Sequence, residues 1–144
     1  MIEKFVIGSC LVAATVTIHA TGLAWVLSHV LHSVLPPSTN FWQITWLLIR
    51  IAWWLILVHL VEIAVWGLFF WWQGCLPNAE SSLYFSGVTY ATLGYGDLLL
   101  PNEWRLFGPI EALTGSLMVG LSIAFFFAVV SRRMLQRMDE RAKV

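Results

Sequence analysis

"TYATLGYGD", residues 89–97, is short, polar and glycine-bearing, and it ends in an acid, yet it lies between two long apolar runs. Upstream is "CLPNAESSLYFSGV" (75–88), and beyond that a strongly hydrophobic stretch over Phe41–Trp72. Downstream, "LLLPNEWRLF" (98–107) leads into another, about Phe107–Val130. A third apolar run, about Phe5–Val34, opens the chain and is stopped by "LPPSTN" (35–40), because consecutive prolines cannot continue a helix. The runs are long enough to cross a bilayer; the first gives roughly 45 Å of helix at the α-helical rise. The opening "FWQITWLLIR" (41–50) mixes Trp42, Trp46 and Arg50, a composition that suits an interfacial stretch before the chain turns upward.

Composition agrees. The 144 residues are 59% hydrophobic and 11% charged, too apolar for a soluble domain of this size to hide, so lipid is the natural solvent. Net charge is zero, but Arg132, Arg133, Arg137, Arg141 and Lys143 crowd the C-terminal end. A basic tail after an apolar helix is a cytoplasmic anchor, not a nucleic-acid site, and it sets the third run pointing inward. Cys10 and Cys75 have no metal-ligand spacing, and a disulfide through Cys75 depends on an oxidising compartment. There is no nucleophile with a base, no phosphate loop and no metal-ligand array, so the sequence offers no enzyme chemistry and calls for no cofactor.

The segment around 89–97 cannot be a span. Asn78 or Ser81 can cap a helix ending near Ala91, too short and too polar to cross. Non-helical backbone at membrane depth is tolerated only where it is buried in protein or lines a water-filled path. A short helix followed by glycine-bearing backbone between two spans therefore reads as a re-entrant pore loop. Aiming several successive carbonyls at one axis requires dihedrals that alternate in handedness, and Gly94 and Gly96 enter the left-handed region at little strain. The carbonyls of Thr92, Leu93, Gly94 and Tyr95, with the Thr92 hydroxyl, can then replace the hydration shell of a small cation. One row of oxygens cannot surround an ion, so closure calls for a ring of identical chains.

Thr92-Leu93-Gly94-Tyr95-Gly96-Asp97 resembles the selectivity filter of the tetrameric pore-loop potassium channels. The resemblance covers outer helix, pore helix, filter and inner helix, residues 41–134, and leaves residues 1–38 as an accessory transmembrane helix and 135–144 as a basic cytoplasmic tail. It implies an all-α membrane protein with three transmembrane helices, a re-entrant pore helix and a filter loop. The implied assembly is a homotetramer in the bacterial plasma membrane, with the C-terminus cytoplasmic and K+ as the permeant ion. By the same resemblance Tyr95 braces the filter wall and Asp97 sits behind its outer end. Tyr84 stands where many members hydrogen-bond that aspartate with a tryptophan, and Val88 where some carry a glutamate. Gly115 and Gly120 lie at distances that suit the inner helix's hinge and close-packing glycines. In "AFFFAVV" (124–130) one ring, with Phe126 the candidate, can serve as a gate at the inner mouth, but lipid contact or packing is the leading reading.

Three polar side chains, His19, His59 and Glu62, fall near mid-span at one depth, and the spacing of three puts the last two on one helix face. A hydrogen-bonded cluster that docks the first helix is the leading reading; pH sensing and a metal site are alternatives. Glu111 is expected to contact the pore helix, and His29 and His32 to be interfacial. Arginines at every third position are lacking, so no voltage sensor is expected. The leading function is a passive potassium-selective channel; a weakly selective cation channel and a non-conducting modulatory subunit are the competing ones.

Overall fold

The computed structural model describes the backbone of residues 2–32 and 41–142, and side chains over residues 2–29 and 41–132 and at Leu135. The turn expected at "LPPSTN" and the side chain of His32 lie outside the described residues. All the described secondary structure is helical: α1 (Ile2–His32), α2 (Phe41–Trp72), α3 (Ala79–Tyr90) and α4 (Phe107–Ala142). Three stretches, Ile2–His29, Phe41–Trp72 and Phe107–Arg132, are long and apolar enough to cross a membrane. The chain is an all-α membrane protein.

One expectation is corrected. The stretch 41–50 does not run separately before a turn; it is the first three turns of an unbroken α2. The last helix, α4, extends past its apolar run through Arg132 to Ala142, so the basic residues up to Arg141 are helical. The short helix starts where its cap dictates: the Asn78 side-chain oxygen accepts from the Ser81 amide at 2.8 Å, satisfying one of the otherwise orphaned first-turn donors.

Two apolar cores lie at opposite ends of the bundle. One joins Val26 of α1, Leu47, Ile51 and Leu55 of α2 and Val129 of α4, with Leu23, Phe125 and Phe126 packed against it. The other gathers Trp66, Phe70, Cys75, Leu76, Leu100 and Phe107 close to the 89–97 loop. Between them runs a polar layer. Backbones approach closely around it because three glycines permit it: a Cβ at Gly22 would meet Val58 Cγ2 at 2.6 Å, one at Gly67 the Leu83 side chain at 2.9 Å, and one at Gly115 the Tyr90 carbonyl oxygen at 2.4 Å. Near the N-terminus Lys4 Nζ donates to the Glu103 carbonyl at 2.8 Å and lies 5.0 Å from the Trp104 ring, holding α1 to the segment before α4.

Candidate functional site: the 92–97 loop and the layer behind it

The end of α3 turns into the loop by folding its amides back. Ala91 N donates to Gly87 O (3.1 Å), Thr92 N to Thr89 O (2.9 Å), and Leu93 N and Gly94 N both to Val88 O (2.9 and 3.4 Å). With no cis bonds present, each carbonyl points opposite to the amide of the residue that follows it. The Ala91, Thr92 and Leu93 carbonyls are therefore aimed away from the helix end, on one side. Such a run needs alternating handedness, and it is present: Thr92, Gly94 and Gly96 have φ of 59°, 57° and 76°. Glycine takes that region freely. Thr92 does not, because it is β-branched, and a backbone outlier of this kind costs about 1–3 kcal/mol. The sequence reading assigned the left-handed positions to the glycines and missed Thr92.

Residues 91–97 are all exposed on the single chain, Tyr95 at 67% and Leu93 at 57%. The far end of the loop is anchored by Tyr84, whose hydroxyl donates to Asp97 Oδ2 at 2.7 Å. This bond to Asp97 raises the Tyr84 pKa above the ordinary tyrosine value, with burial and the Asp97 charge acting the same way. Val88 serves through its carbonyl and lines a cavity of about 310 Å³ together with Tyr84, Tyr95, Asp97 and Arg105. Cys75 is buried in the neighbouring core and is not bonded to Cys10; burial pushes its thiol upward against a smaller opposing effect from Lys4.

Behind the loop, the fold brings His19, His59 and Glu62 together. His19 Nδ1 lies 3.0 Å from Glu62 Oε1 and His59 Nδ1 3.0 Å from Oε2. Two residues the sequence reading did not include join them: the Tyr90 hydroxyl donates to Glu62 Oε2, and Ser122 Oγ lies 3.0 Å from His59 Nε2. The Glu62 carboxylate thus joins α1, α2 and α3, and His59 carries the network on to α4. Thr15 extends the layer, its hydroxyl accepting from Trp66 Nε1 at 2.9 Å. Glu111 contacts α3 as expected, accepting from the Ser86 hydroxyl, which lies 2.8 Å from the Ile63 carbonyl. His29 is exposed and stacks on Trp25 at 3.9 Å.

The gating candidates divide. Gly115 is pressed against the Tyr90 carbonyl, whereas a side chain at Gly120 would meet open space. Phe126 takes the packing alternative. It packs partly buried against the core of Val26, Leu55 and Val129, and the free ring of the trio is Phe127, 71% exposed.

Three helices long and apolar enough to cross a membrane accompany a short helix whose end turns into a loop with the Ala91, Thr92 and Leu93 carbonyls on one side. The family model described as "Ion channel" matches residues 55–132, from mid-α2 through the loop to the charged part of α4, and the chain belongs to that family. No curated protein and no solved structure matches it.

Proposed function

We propose that the chain is one subunit of a homotetrameric, potassium-selective channel whose filter is formed by four copies of Thr92–Gly96. The observation that carries this reading is the row of carbonyls directed to one side by the amides bonded back to Thr89 and Val88. In this reading the Thr92, Leu93, Gly94 and Tyr95 carbonyls and the Thr92 hydroxyl stand in for the water around K+, and Gly96 closes the row at its outer end. Four chains supply what one lacks: they enclose the ion and cover the loop that the single chain leaves exposed. Tyr84 and Asp97 hold the outer end, and the C-terminal end of α3, partly negative by its helix dipole, favours a cation below the loop. The basic end of α4 faces the cytoplasm, so the loop opens to the outside of the plasma membrane.

The test is purified protein in liposomes under a potassium gradient, with subunit number measured by native mass. Barium-sensitive flux of K+ that sodium cannot replace, from tetramers, is the expected result. Equal flux of sodium would replace selectivity with general cation passage. Tetramers that pass neither ion in any condition would point to a modulatory subunit.

A further inference from the structure

The polar layer is more than a set of paired hydrogen bonds. One ligand atom each from His19, His59 and Glu62 lies within 4.8 Å of the other two, and the imidazole rings are 5.3 Å apart. His19 and Glu62 are 1% and 0% exposed; His59, with an 18% exposed side chain, is the open side of the cluster. A fourth donor is in place, since the Tyr90 oxygen contacts Glu62 and lies 3.0 Å from His59 Nδ1.

We propose that His19, His59, Glu62 and Tyr90 form a binding site for one divalent transition-metal ion of the zinc class. Two imidazole nitrogens, a carboxylate and a phenolic oxygen make a four-coordinate N2O2 set, the coordination number zinc takes. Nitrogen donors disfavour magnesium and calcium. Tetrahedral bonds of about 2.0 Å place donor atoms about 3.3 Å apart, so the 3.0 Å pairs need to open only slightly and the widest separation to close. His19 can reorient at small expense because its Nε2 is buried without a partner, leaving no other bond to break. The protons are accounted for. Each imidazole carries its single proton on Nε2, where His59 donates to Ser122 Oγ, and the Tyr90 phenol proton leaves to water. A dication, one carboxylate and one phenolate then sum to zero, the charge that a layer between two apolar cores favours. Ser122 is a positioning residue that orients the His59 ring from behind. The bound ion would tie α1 and α2 to Tyr90, two residues before Thr92.

The experiment titrates full-length protein in detergent, affinity tag removed, with Co2+ as the spectroscopic probe. The expected result is visible absorption of four-coordinate cobalt saturating at one ion per chain, displaced by Zn2+ and not by Mg2+. No near-ultraviolet thiolate band should accompany it, since Cys10 and Cys75 lie outside the cluster. His19→Gln and His59→Gln should each abolish the signal, and Ser122→Ala should weaken binding about tenfold. The absence of a saturable signal in the wild-type protein, or its survival in the doubly substituted chain, would overturn the site and leave a hydrogen-bonded brace. Should the variants fail to assemble, the wild-type melting temperature decides: a rise with Zn2+ alone supports the site, and an equal rise with Mg2+, or none, refutes it. Binding is read without ion flux, so this test and the potassium reading fail separately.

Discussion

The 92–97 loop and the polar layer around Glu62 meet at Tyr90, yet they follow opposite rules. The loop is exposed, works through its backbone, and holds an unfavourable φ at Thr92. The layer is buried, works through side chains, and among its described groups leaves unpartnered only His19 Nε2 and, at Glu111, one carboxylate oxygen. In the proposed channel the loop tolerates strain because neighbouring subunits and a rigid helix end hold it. A part built to hold four helices together cannot tolerate an unpaired buried charge. Damage should separate accordingly: changes in the layer lower stability first, and changes in the loop lower conduction first.

The largest loss of stability is expected from Glu62→Leu, which strands His19 and takes one partner each from His59 and Tyr90. Removing one member of a buried charged network costs about 3–5 kcal/mol, read as thermal unfolding in detergent. A loss under about 1 kcal/mol would mean that the layer does not brace the bundle. Gly115→Ala comes next. Its Cβ would lie 2.4 Å from the Tyr90 carbonyl, so α4 or the helix end must move, at about 1–3 kcal/mol.

Gly94→Ala inverts the pattern. Placing a side chain at φ 57° costs only about 1–2 kcal/mol, but potassium flux in liposomes should vanish while the melting temperature changes little. Retained selective flux would dissociate the loop from conduction. Tyr84→Phe is the mildest change, removing the hydroxyl that anchors Asp97 and leaving the fold intact, with poorer discrimination against sodium. Because the Tyr84 pKa is raised, the contribution of its neutral form is fully present below the ordinary value of about 10 and is lost as pH climbs through the raised value. Wild-type selectivity should therefore fall at strongly alkaline pH towards that of Tyr84→Phe, which should itself be indifferent to that change.

The same division explains what could be read without a structure. The loop was legible because its chemistry is local: glycines two apart, a short capped helix before them, spans on either side. The Thr92 φ was not, since nothing in a threonine announces a left-handed backbone. In the layer, His19, His59 and Glu62 were identifiable by shared depth, but Tyr90 and Ser122 belong to helices whose rotation about their axes is fixed only by packing. Phe126 stayed open between gate and packing for a related reason. Three successive rings on a helix point about 100° apart, and which one faces inward depends on how α4 sits against α1 and α2. The extent of α4 exceeds its apolar run because hydropathy marks the end of the membrane, not of the helix, and no glycine or proline follows Gly120 to stop it.

The backbone contact between Gly115 and Tyr90 gives α4 a fulcrum. From Gly115 the helix runs about 12 Å back to Phe107 and about 40 Å forward to Ala142 at 1.5 Å per residue. Arms in a ratio of about three to one make α4 a reducing lever. A tilt that sweeps the Ala142 end through about 3 Å displaces the end beside the loop by about 1 Å, so small forces applied at the far end reach the loop amplified while its movements stay small.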